Sequence, residues 1–239
     1  MNRFLLLWLE APLQAWGIDS KFYRRETISF PTKSGILGLM LCAMGNSGPQ
    51  RELLARFAPL RQTVISYVRT RPTDAQAKAR LPQETLLRDF HMVGSGYDKD
   101  DPWQLLHIPK KIDGGQAEGG GTKLTHRFYL QDARFAVILE VPLDIADECT
   151  EKLQYPVHDI YLGRKNCVPT DFVYRGMFAT IAEAEQCASG IAEKKSLLED
   201  FRVVDGIAQE GELLIINDVP VQFGDRKIYR DRQVSVIKV

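Results

Sequence analysis

Residues Phe4–Leu9 read FLLLWL, six apolar side chains without a break. A strand with one wet face alternates apolar and polar residues, whereas an unbroken run fits a strand covered on both faces. Such a strand needs neighbours on both edges and a layer above and below, and the following segments supply them in a telling order. Ile36, Met40 and Met44, beside Leu37 and Leu41, recur at helical spacing; Thr32 is placed to cap a helix starting at Lys33, and Gly45 to end it. PQRELLARFA reads as a short second helix. Val64, Ser66 and Val68 then alternate with Ile65, Tyr67 and Arg69 as in a strand, and Phe135, Val137, Leu139 and Val141 form another. Ile145, Cys149 and Leu153 place a helix directly after it, and DFVYR (171–175) is a candidate last strand.

This order predicts an α+β fold, a ferredoxin-like (RRM-like) βαββαβ domain over 1–175. Its middle is interrupted at about 73–124, where MVGSGYDKDD and DGGQAEGGGTK carry seven glycines and few apolar anchors. Loops that long in a compact domain are usually functional or disordered, so the segment is read as a long thumb or hairpin insertion, partly mobile when unbound. Residues 176–239 are expected to form a small β-rich C-terminal extension: an acidic helical stretch near Ala182–Ala188, a strand at ELLIIND and a basic tail.

Lys+Arg and Asp+Glu balance at 31 each, so no global field favours a polyanion and any nucleic-acid site must come from local clustering. Clustering is present. Residues 51–88 carry eight bases against three acids, 221–239 five against two, and 181–212 three against eight. The four cysteines are far apart with no C-x-x-C, which argues against a zinc site or disulfide frame and fits a reducing cytoplasm. The apolar start stops at Glu10, short of a signal-peptide core of about 7–15 residues, and no segment approaches the roughly 18 apolar residues of a membrane span. A cytoplasmic protein without a membrane partner is expected.

Lys33-Ser34-Gly35 at a helix start suggests a phosphate site. A P-loop would need glycines at positions that hold Thr27 and Thr32, whose side chains block the approach of phosphate to backbone N–H groups. A helix N-terminus still attracts phosphate, with Lys33 adding charge and Ser34 a donor; simple capping by Thr32 is the competing reading. No G-x-G-x-x-G follows a strand. RGMFATI (175–181) has Met177 where an RNA-binding aromatic strand has its first ring, so core packing is expected there.

Two basic clusters fit single-stranded RNA. KFYRRE interleaves aromatics with Lys21, Arg24 and Arg25, as a surface that stacks bases and neutralises phosphates would. YLGRKN places Gly163 beside Arg164, Lys165 and Asn166, where backbone can approach a polyanion. None of the four histidines has metal-ligand spacing. His91 and His126 flank the insertion and, with Lys123 and Tyr129, form a conceivable metal-independent acid–base group for RNA cleavage; ordinary hydrogen bonding or RNA contact is the simpler reading.

APLQAWG, FPTKSGILGLM, LRDFHMVG, YLGRKNC and YRDRQVSVIKV, in this order, resemble the CasD family of type I-E CRISPR Cascade subunits, within the repeat-associated RNA-binding superfamily. The glycine-rich stretch 113–121 and the acidic stretch 181–212 lie outside the resemblance. It implies a ferredoxin-like domain with a thumb and a role without chemistry: binding the 5′ handle of crRNA and helping to assemble the complex for antiviral DNA interference. Partners would be the crRNA handle, the backbone subunits and the large subunit, with target DNA reached only through the complex. Lys33, Ser34 and Gly35 would face RNA near Gln14 and Trp16. Arg88 and His91 on LRDFHMVG, and Lys123, His126 and Arg127 on the returning side of the insertion, complete the expected RNA-binding set. No catalytic residue, metal or cofactor is expected; the alternative is a metal-independent endoribonuclease processing repeat RNA.

Overall fold

A computed structural model of the chain describes residues 2–17, 20, 23–72, 78–93, 100–105, 110, 112–115 and 123–239. In chain order the elements are β1 (Asn2–Glu10), β2 (Leu13–Gln14), β3 (Arg24–Arg25), α1 (Lys33–Met44), α2 (Arg51–Phe57), β4 (Gln62–Pro72), β5 (Lys78–Arg80), β6 (Leu87–Val93), α3 (Pro102–Leu105), β7 (Lys123–Gln131), β8 (Arg134–Pro142), α4 (Leu143–Gln154), β9 (Tyr174–Phe178), α5 (Ile181–Lys194), β10 (Leu197–Asp205), β11 (Glu212–Gln222) and β12 (Ile228–Lys238).

β1 lies where its composition requires, inside a sheet ordered β11-β12-β10-β4-β8-β1-β9, with β5 pairing β4. Its alternate residues feed two cores: Leu5, Leu7 and Leu9 pack with α1, α2 and α4 on one face, and Leu6 and Trp8 with α5 on the other. The fold is a mixed α/β arrangement in which strands predominate.

α1 begins and ends where the sequence reading put it. Thr32 accepts from Gly35 N at 3.2 Å, and Gly45 ends the helix with φ +75. α2, β4, β8 and α4 also fall on their expected segments. The last core strand is displaced: β9 starts at Tyr174, because Asp171 turns aside to pair with Arg175 at 2.5 Å and Lys195 at 2.8 Å. β10 was not anticipated, and its mixed pattern LLEDFRVVD explains why.

The segment after 175 joins the main sheet. β10 pairs with β4, β12 with β10, and β11 with β12. The basic tail forms strand β12. Within the insertion, β6 pairs antiparallel with β7, giving a hairpin that also pairs with β3 and β2. MVGSGYDKDD and DGGQAEGGGTK lie largely outside the described residues. No helix among the described residues is long and apolar enough to cross a membrane.

Candidate nucleic-acid interface

The exposed side of α1 forms the floor of a cleft of about 630 Å³. Ser34, Gly38 and Cys42 follow one another at helical i, i+4 spacing along that floor, beside Gly35. With two glycines there, the cleft reaches close to the helix backbone. One wall is the loop after α4, carrying His158, Tyr161, Gly163, Arg164 and Lys165; the other combines Asn46, Ser47 and Gln50 with Phe223 and Lys227 of the β11–β12 turn and Tyr229 at the start of β12. Lys165 and Lys227 are exposed. Burial and the nearby Asp159 carboxylate raise the pKa of the Cys42 thiol, which keeps the floor uncharged.

The loop after α4 is held by its backbone. Leu162 O accepts from Ala15 N at 3.1 Å, and Leu162 N donates to Cys167 O at 2.8 Å. Gly163 has φ +99, and a Cβ there would lie 1.7 Å from Ala15 O. The glycine is therefore required by the contact between two protein segments; the expected approach to a polyanion does not explain it. Arg164 is also anchored, donating to Phe128 O at 3.1 Å and Arg25 O at 2.9 Å, with its guanidinium 4.6 Å from the Tyr129 ring centre. It lines the cleft while tying that loop to the hairpin sheet. Asn166 is exposed beside it.

Three expected RNA contacts are structural instead. Gln14 and Trp16 are 0% and 1% exposed. Gln14 Nε2 donates to Leu9 O and Ala133 O, its Oε1 accepts from Trp16 Nε1, and the indole fits against Gly35, where a Cβ would meet Cε3 at 2.8 Å. Lys33 is 1% exposed, and its ammonium donates to the carbonyls of Ala58, at 3.0 Å, and Leu60 behind α2. Burial pulls its pKa down, opposed by Asp205 and Asp218. Its side chain thus closes the end of α2, while its neighbours Ser34 and Gly35 do face the cleft.

The remaining cations lie on the hairpin sheet. Strand alternation puts Arg88, Phe90, His126 and Phe128 on one face, and β3 brings Arg24 alongside. The Phe90 and His126 ring centres are 5.2 Å apart, Tyr23 meets His126 edge-on at 6.2 Å, and Arg24 lies 5.2 Å from the Phe128 ring centre. This is an aromatic and cationic surface of the kind that stacks bases. Arg25 is exposed and Arg127 half-buried. Lys21 and the side chain of Lys123 lie outside the described residues.

The described members of the conceivable acid–base group divide between the two faces of the hairpin. His91 pairs in register with Thr125, so its side chain emerges on the face opposite Phe90 and His126, and it contacts Asp89. Tyr129 is 1% exposed, and its hydroxyl is enclosed.

Residues 4–237 match the CRISPR-associated protein (Cas_Cas5) family. The chain belongs to the Cas5 family. Among curated relatives, this Cas5 chain is 30% identical over 179 residues to the CRISPR system Cascade subunit CasD of Escherichia coli (strain K12), covering 74% of this chain and 71% of the relative. Among solved structures it resembles a chain of a CRISPR RNA-guided surveillance complex, with TM-score 0.70, 27% identity, and 99% and 90% of the two chains covered. A solved Cas protein shares the fold at TM-score 0.56 and 24% identity, over 98% of this chain and 95% of the other.

The sequence reading missed the second wall of this Cas5 cleft. Asn46 and Gln50 sit in an ordinary-looking loop, and Phe223, Lys227 and Tyr229 reach the cleft only because β11 folds back beside α1 and α2 before turning into β12. The basic run 221–239 was the one local signal.

Proposed function

We propose that this Cas5 chain is a non-catalytic subunit of a Cascade-type CRISPR surveillance complex, and that its cleft holds the 5′ handle of crRNA. The observation that carries the reading is the glycine-containing floor of α1 between two walls that each present an exposed lysine, Lys165 and Lys227. Single-stranded RNA needs this combination, cations for phosphates and flat or open surfaces for splayed bases. Arg164 ties the cleft to the hairpin sheet whose other face carries Arg24, Arg88 and His126. The similarity to CasD and to a surveillance-complex chain supports membership of such a complex.

The ferredoxin-like reading of the core is supported by its order β4-β8-β1-β9, all antiparallel, with α1 after β1 and α4 after β8. The hairpin β6–β7 is the thumb in this reading, and backbone and large subunits are the partners. A neutral chain binds free RNA modestly because phosphate neutralisation drives affinity; retention then relies on neighbours gripping the same strand. His126 lies on the opposite face of the β6–β7 hairpin from His91, and Tyr129 is enclosed, which supports a role without cleavage.

The test is RNA binding against salt. With an oligonucleotide of the cognate repeat's 5′ handle, the Lys165→Ala, Lys227→Ala double variant should reduce the logarithmic salt slope by about 0.7 per lost phosphate contact. An unchanged slope sinks the cleft assignment. Incubating the wild-type chain with full repeat RNA and EDTA should leave the RNA intact; specific cleavage abolished by His126→Ala overturns the non-catalytic reading.

A further inference from the structure

The main sheet ends at β11, whose inner edge pairs with β12 and whose outer edge has no strand beside it among the described residues. Natural edge strands are usually short, bulged, covered, or guarded by lysine or proline, because open N–H and C=O groups recruit further strands. The first half of β11 has none of these protections. Its register with β12 runs unbroken from Glu212 to Asn217, it contains no Lys or Arg, and its proline comes later, at Pro220.

The side chains there are also unlike a solvated edge. Leu213 is 46% and Ile215 67% exposed, and they project on the same face two residues apart. α5 packs its alanines against Leu6, Trp8, Ile65 and Tyr67, and β11 lies beyond that cluster. At the start of the strand, Glu210 and Glu212 are exposed, and neither has an ion-pair partner among the described residues. The edge therefore offers unpaired backbone groups, an apolar strip and two free carboxylates at one end.

We propose that the outer edge of β11, over 212–217, receives an extended segment of a partner protein that alternates apolar residues with Lys or Arg. Main-chain bonding to an open edge supplies affinity, and alternate side chains supply specificity. The apolar residues would cover Leu213 and Ile215, and the cations would meet Glu210 and Glu212. A second copy of this chain fits less well. Two β11 strands paired in parallel would set Glu212 against Glu212. Paired antiparallel, each would bring its glutamates to an end where Asp231 stands between Arg230 and Arg232, a mixed charge rather than the run of cations that two glutamates favour.

The test uses the full chain, isotopically labelled, with an acetylated and amidated Val-Lys-Val-Lys-Val-Lys peptide as the probe. Amide exchange should slow within 212–217 and not elsewhere. Binding should weaken by about tenfold in Ile215→Lys, which places a guarding charge on the edge, and also in the double variant Glu210→Gln, Glu212→Gln. Ile215→Thr keeps strand propensity and should weaken binding less, so a folding defect in the lysine variant would not hide the result. Equal binding of a Val-Glu peptide, protection at another site, or unchanged affinity in all three variants overturns the proposal. A concentration-dependent dimer of the free chain, abolished by Ile215→Thr, makes the occupant a second copy and overturns it equally.

Discussion

The backbone N–H of Lys33 donates to Asp218 Oδ2 at 2.7 Å, joining the first residue of α1 to a strand 185 positions further along the chain. The same carboxylate accepts from Arg232 at 2.7 and 2.9 Å, and Arg232 also contacts Asp205, whose other oxygen accepts from Gln62 N at 3.0 Å. Asp218 is 1% exposed. One buried acid thus fixes β11 and β12 against the start of α1, and so sets the distance between the cleft floor and its second wall.

Removing that acid should loosen the whole arrangement. Asp218→Ala strands the Arg232 guanidinium and the Lys33 N–H, and losing one partner of a buried pair costs about 3–5 kcal/mol. Urea denaturation should show a loss of that order, with Asp218→Asn losing less because it can still accept from Lys33 N. Near-wild-type stability for the alanine variant would mean that water readily replaces the carboxylate.

Lys33 itself makes a sharper case. Its ammonium serves the carbonyls of Ala58 and Leu60 rather than solvent. Lys33→Met should therefore cost stability, about 1–3 kcal/mol for the carbonyls left without a donor, yet leave the salt slope of RNA binding unchanged. Lys165→Ala should do the reverse. Salt titration of handle binding beside chemical denaturation separates the two, and a reduced slope in Lys33→Met would return that lysine to the RNA.

The contrast shows what a linear sequence can convey. Periodicity located β1, α1, β4, β8 and α4 because each buries its own regular pattern. Motif spacing brought Ser34, Gly35, Arg164 and Lys165 to one cleft. It could not tell which way Lys33 points, since that depends on α2 closing over it, nor that Gln14 and Trp16 serve each other. β10 escaped notice because Arg202 and Glu199, which pair with each other on it, break the apolar alternation. Gly163 was noticed for its place beside Arg164 and Lys165, whereas its demand for glycine comes from Ala15 O in a segment far away in sequence.

Gly35 and Gly38, one turn apart on the same floor, should respond oppositely to alanine. A Cβ on Gly35 would press on Trp16, which is 1% exposed and has nowhere to retreat, whereas a Cβ on Gly38 meets nothing within 4 Å. Gly35→Ala should lower stability by about 1–3 kcal/mol through overpacking. Gly38→Ala should raise it by about 0.5–1 kcal/mol, the usual gain in a helix interior. RNA affinity should nevertheless fall in Gly38→Ala, and further in Gly38→Leu, because the floor rises into the cleft. A Gly38→Leu chain that melts like the wild type and binds the handle equally well would place the RNA elsewhere.

Acid should act first on the far side of the sheet. Burial raises the Glu10 pKa, but hydrogen bonds from Lys195 and Trp8, with the charges of Lys195 and Arg134, outweigh it and hold the carboxyl below its ordinary value of 4.5. Asp171 follows the same pattern: burial is outweighed by Lys195, the Phe172 N–H and Arg175, which hold it below 3.8. For carboxyls whose folded pKa is depressed, the unfolded chain binds more protons as pH falls, so their stabilisation is intact above the ordinary values and is lost through the lowered ones. Stability should therefore hold to about pH 5 and fall steeply below about pH 4. Glu10→Gln should flatten that fall and, at pH 7, cost about 1–3 kcal/mol, because Arg134, 5% exposed, loses one of its two acidic partners while Asp132 keeps the other. Thermal melts from pH 3 to 8 measure both effects; a variant whose acid limb is as steep as the wild type's would assign the sensitivity to other carboxylates.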